Sequence, residues 1–137
     1  MKRKAVISIL SNQVPKNDDS IEVLTPGSFN KEKNFYYAIY DETEISGMKG
    51  TTTRLEIYPE RISLIREGTT NAKMEFEKNK RYLSLYNTPY GVLELHILTK
   101  ELNVRMGDDG GEVFIDYNMS IGGQKPQKTE LKISIRA

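Results

Sequence analysis

At 137 residues the chain has the size of one domain, 1–137, long enough to bury a core without staples. It has no cysteine, which excludes disulfides, thiolate metal sites and thiol nucleophiles; 20 Lys and Arg against 19 Asp and Glu leave a net charge of +1, too little to hold a polyanion. Nucleic acid is therefore an unsupported partner, and no metal or cofactor is expected.

The basic start Met1-Lys2-Arg3-Lys4 is that of a signal peptide, but the apolar run behind it is short, broken by Ser8 and followed by no small-residue cleavage site. A first strand over Ala5 to Gln13 is the better reading. No later stretch approaches the ~20 apolar residues that span a bilayer. The expectation is a soluble cytoplasmic protein without a membrane partner.

Asn17-Asp18-Asp19 reads as a turn, Ser20 to Thr25 as a short strand that Pro26-Gly27 ends, and 28–34 as a polar loop. Asn34 to Glu44 is an aromatic strand in which neither phase is plainly the polar one. Ser46 to Gly50, with glycine near both ends, reads as a mobile connection near a barrel mouth. Thr52 to Gly68 forms two strands about the Pro59-Glu60 corner. On the second of them Ile62, Leu64 and Arg66 share a side, so a guanidinium stands in line with two core residues and needs a partner.

Ala72 to Lys78 is the cleanest inside/outside strand, Met74 and Phe76 opposing Lys73, Glu75 and Glu77. Arg81 to Asn87 follows the Asn79-Lys80 turn, then Val92 to Thr99 with Leu93, Leu95 and Ile97 together. Leu102, Val104 and Met106 read as a separate, shorter strand. Gly107 to Gly111 is a turn leading into Glu112–Ile121, and Thr129 to Ile135 is the last strand. Met74, Phe76, Leu93, Leu95, Val113, Ile115, Leu131 and Ile133 are the expected core.

Apolar residues recurring at spacing two, with turn residues at short intervals, define an all-β chain. An antiparallel meander of about eight to ten strands leaves exposed edges unless it closes into a barrel, and a two-sheet sandwich is the alternative.

Tyr40-Asp41-Glu42, Thr51-Thr52-Thr53, Leu64-Ile65-Arg66-Glu67-Gly68, Met74-Glu75-Phe76, Tyr86 through Leu93 and Ile115-Asp116-Tyr117 together make the chain resemble the YwiB-like family, uncharacterised bacterial proteins with a lipocalin-like (calycin) β-barrel. The resemblance implies a closed or nearly closed barrel. It brings no activity with it, because fold analogy does not import a ligand.

If Ala38, Tyr40 and Glu42 face inward, Arg66 and Glu42 meet inside the barrel, assisted by Tyr40, Tyr86 and Thr88, since a buried guanidinium requires a carboxylate and further acceptors. Such a group either anchors a small polar or anionic ligand, with Tyr117 also on the wall, or is an internal salt bridge that fixes strand register. His96 stands opposite Leu95 and Ile97, an outer-face position that leaves a serine triad without support. Asp41 and Glu42 point to opposite faces and make a poor carboxylate pair for glycoside chemistry. Asp108 and Asp109 lack the spacing of a calcium loop and read as a hairpin turn. Basic and aromatic residues such as Lys80, Arg81, Tyr82, Lys100 and Arg105 are interspersed with glutamates, as on a solvated surface. The leading expectation is a non-enzymatic binding protein. A filled-core interaction protein with a protein or RNA on its outer surface is the alternative, and an enzyme using carboxylates and tyrosines comes third.

Overall fold

The computed structural model describes residues 3–14 and 21–137. Its strands are β1 (Arg3–Val14), β2 (Ile21–Lys31), β3 (Tyr36–Asp41), β4 (Thr51–Ile57), β5 (Ile62–Gly68), β6 (Ala72–Phe76), β7 (Arg81–Thr88), β8 (Gly91–Gly107), β9 (Gly110–Ile121) and β10 (Gln127–Arg136). Among the described residues the one other regular element is a single 3₁₀ turn at Glu44–Ser46, and no helix is long and apolar enough to cross a membrane. The expected turn at Asn17-Asp18-Asp19, with Ser20, lies outside the described residues.

All ten strands form one antiparallel sheet in the order β6-β5-β4-β3-β2-β1-β10-β9-β8-β7. The first and last strands pair in its middle, from Val6 opposite Arg136 to Val14 opposite Lys128. The two edges, β6 and β7, follow one another in the chain. They meet through a single bridge, Asn71 with Asn87, whose two N–H···O contacts are 2.8 and 2.9 Å. The sheet is thus a nearly closed barrel and not a sandwich, with its two short edge strands brought side by side at the seam.

Inward-facing residues fill one half of this barrel. Phe29, Phe76, Ile7, Ile57, Ile115 and Ile135 are all but fully buried there. The β8–β9 turn closes that end from outside: Arg3 reaches Asp109 at 3.0 Å, Lys31 reaches Asp108 at 2.9 Å, and the Tyr36 hydroxyl donates to Asp108 at 3.3 Å. The hydrogen bond and charge of Lys31 hold the Asp108 carboxyl below its usual range. The paired aspartates are accordingly a turn that ties β1 and β2 to the hairpin.

Three expectations need correction. Pro26-Gly27 does not end β2, which continues to Lys31. Pro26 pairs with Val6 of β1 but has no partner in the β2–β3 ladder, which starts at Gly27, and a flank without ladder pairing tolerates a missing N–H. Gly27 is there because β3 passes close by: a Cβ would lie 2.5 Å from the Ile39 carbonyl oxygen and 2.6 Å from Ile7 Cδ1. Second, Val92–Thr99 and Leu102–Met106 are not two strands but parts of the 17-residue β8. The apolar phase moves from odd to even positions because a bulge between Thr99 and Glu101 inserts one residue, which bends the strand without reversing it. Third, Leu93 is 42% exposed and is not core; its phase is inward, but it sits at the open rim. The other seven expected core residues are buried.

Candidate functional site

The unfilled half of the barrel holds a cavity of about 330 Å³, at the small end of ligand-pocket sizes. Its two walls differ in chemistry. Ile9, Val23, Leu95, Met119, Leu131 and Ile133 make the wall from β1, β2 and β8–β10 mostly apolar, with Ser11 and Tyr117 set into it, whereas Tyr40, Glu42, Arg66 and Tyr86 bring polar groups in from the β3, β5 and β7 side.

Register explains that polar cluster. Tyr40 lies opposite Thr53, and Thr53 opposite Arg66, so the three stand side by side on neighbouring strands. Inward phase places Ala38 and Tyr40 inside β3, and Glu42, just past its end, is buried as well. Arg66 follows Ile62 and Leu64 inward, and its Nε comes 3.6 Å from Glu42 Oε2. The Glu42 side chain is 3% exposed and that of Arg66 14%. Thr53 donates its hydroxyl to Glu42 at 2.5 Å, and Arg66 Nη1 donates to the Tyr86 hydroxyl at 3.4 Å. Tyr86 in turn donates to the Met48 sulfur at 2.9 Å, tying the loop after the 3₁₀ turn to the cluster. Arg66 Nε is buried without an acceptor in hydrogen-bonding geometry.

Burial pushes the Tyr40 hydroxyl well above its ordinary range, and the neighbouring Glu42 charge adds to this against the opposing effects of Arg66 and Thr53. Tyr117, whose ring lies 5.0 Å from that of Phe76, is also raised by burial, with Arg66 and Thr129 opposing. Both tyrosines therefore keep their protons more firmly in the folded than in the unfolded state. Their stabilising contribution is complete below the ordinary tyrosine value of 10.0 and declines as pH rises beyond it. Urea denaturation at about pH 8 and about pH 11 should show a smaller alkaline loss of stability in Tyr40→Phe than in the unmodified chain. Equal losses would mean that Tyr40 ionises as freely folded as unfolded.

Of the six residues singled out from sequence, Arg66, Glu42, Tyr40, Tyr86 and Tyr117 line this one cavity. Thr88 does not; its hydroxyl donates to the Gly91 carbonyl at 2.9 Å and accepts from Tyr90 N at 3.2 Å, capping the β7–β8 turn. Thr53 and Met48 were not anticipated. Inward Leu55 and Ile57 carry the phase that points Thr53 to the interior, but nothing local marks Met48. His96 is on the outside, 2.8 Å from Glu94. Asp41 is exposed while Glu42 is buried, so the two carboxylates are separated by the sheet.

A nearly closed antiparallel barrel with a packed core and, beside it, a hollow whose wall carries one ion pair defines a β-barrel protein with an internal pocket. The chain belongs to the family described as "Domain of unknown function (DUF1934)", which matches residues 7–133. It is 22% identical over 138 residues to the "Uncharacterized beta-barrel protein YwiB" of Bacillus subtilis (strain 168), covering 98% of this chain and 95% of the relative. The crystal structure of the ywiB protein from Bacillus subtilis superposes with a TM-score of 0.87 at 20% identity, over 99% of this chain and 92% of that one. The likeness of the two structures is one of fold.

Proposed function

We propose that the chain is a non-enzymatic binding protein, acting in the cytoplasm, that takes a small polar-headed molecule into the open half of the barrel. Arg66 and Glu42 anchor the head, and Tyr40, Tyr86 and Tyr117 line the wall beside it. The observation that carries this reading is the cavity itself: an ion pair that served only to fix register would be packed over, whereas this pair borders about 330 Å³ of space. The lack of a histidine in the cavity and the separation of Asp41 from Glu42 support binding over acid–base chemistry.

Native mass spectrometry of freshly purified protein tests it. The expected result is a retained small molecule that disappears in Leu131→Phe, a variant that pushes a ring into the cavity. A mass equal to the bare chain, together with no uptake of any apolar probe, would overturn the reading. The filled-core interaction protein has one observation in its favour: Leu83 and Leu85 on the outer face of β7 are 53% and 62% exposed.

A further inference from the structure

Charge accounting in the cavity narrows the class of molecule it accepts. Arg66 and Glu42 are the one cation and the one anion among its described lining residues, and at 3.6 Å they cancel one another. The cavity therefore has polarity without net charge. The Arg66 side chain is 14% exposed and its guanidinium gives one hydrogen bond, from Nη1 to Tyr86, so a ligand acceptor that meets its remaining Nη donors from the cavity gains a charge-assisted hydrogen bond. Glu42 has one hydroxyl donor in Thr53 and room, as a carboxylate, for more. An anionic head would satisfy Arg66 but set a second negative charge against a carboxylate that is 3% exposed, where water screens little. A cationic head meets the mirror-image penalty from Arg66.

The apolar wall does not stop at the cavity. Ile21, Leu93 and Ile121 continue it onto the rim, where they are 49%, 42% and 39% exposed. Such side chains at an opening extend an apolar track outward from the polar cluster.

Building on the binding reading above, we infer that the ligand is a neutral amphiphile. Its head both donates and accepts hydrogen bonds, as a primary amide or an alcohol does, and lies against the cavity side of the Arg66 guanidinium and Glu42. Its apolar body runs along the β8–β10 wall toward Ile21, Leu93 and Ile121.

The test is a competition at neutral pH in which decanamide, 1-decanol, decanoate and decylamine displace the neutral fluorescent probe N-phenyl-1-naphthylamine. The four share one alkyl chain and differ in the head. The amide and the alcohol are expected to bind about tenfold more tightly than either charged compound, the size of effect that one unmatched charge-assisted contact has. In Glu42→Gln, which leaves Arg66 unbalanced, decanoate should become the preferred competitor. Decanoate binding best to the unmodified chain, or equal affinities for all four, would overturn the neutral-head inference and leave the binding reading standing. Failure of the probe and all four compounds to bind would overturn the binding reading itself. The ranking in the unmodified protein decides the matter even if the Glu42 variant does not fold.

Discussion

Truncating Phe76 to alanine is expected to lower the free energy of unfolding by about 3–5 kcal/mol, the range for removing a large buried aromatic ring. Phe76 is 1% exposed, stands opposite Ile62 across β5, and packs on the Tyr117 ring at 5.0 Å with the planes tilted by 59°. It also borders the cavity, so it forms part of the floor between the packed half and the hollow half. Neighbours cannot easily collapse into the gap, because the ladder from Ile62 opposite Phe76 to Arg66 opposite Ala72 fixes β6 on β5. The alanine variant should therefore enlarge the cavity instead of refilling it, which is the costlier outcome. Urea denaturation measures the loss, and an unchanged slope with denaturant would show that the unfolded state is not what changed. A loss below about 1 kcal/mol would mean that the ring is not packed as described.

Side-chain alternation made much of this fold legible before any coordinates, because in a barrel the inside and outside of each strand have opposite chemistry. Met74 and Phe76 against Lys73 and Glu75 needed nothing else. The same rule carried Arg66 inward behind Ile62 and Leu64, and the contact with Glu42 followed from the need of a buried guanidinium for a carboxylate. What failed were places where a local signal has two physical causes. Pro26-Gly27 is a chain-turning pair in isolation, yet here the proline falls just outside the β2–β3 ladder and the glycine admits a neighbouring backbone. A phase change around Lys100 is produced equally by a turn and by a bulge, and only the continuous pairing of β8 with β9 separates them. The pairing of β1 with β10 joins the two ends of the chain, and no window of sequence contains both. Leu93 shows the limit of phase alone: direction toward the axis does not give depth along it.

Replacing Arg66 with alanine is expected to destabilise the barrel by about 3–5 kcal/mol, the range for stripping a buried charge of its partner. The carboxylate of Glu42 would keep the Thr53 hydroxyl and lose its only described cation, in a position 3% open to solvent. Tyr86 would lose its donor as well, loosening its link to the Met48 loop. Exchanging both partners for apolar residues, Arg66→Met with Glu42→Leu, should recover much of that loss, since a buried ion pair and an apolar pair of similar volume are often close in stability. Full recovery of stability combined with loss of amphiphile binding is the expected pattern if the pair is kept for a ligand. Recovery with binding unchanged would assign the pair to strand register and remove it from the site. The double-mutant cycle, read by chemical denaturation, measures the coupling directly; a value near zero would show that the two charges do not act on one another, and the anchoring role proposed for them would fall with it.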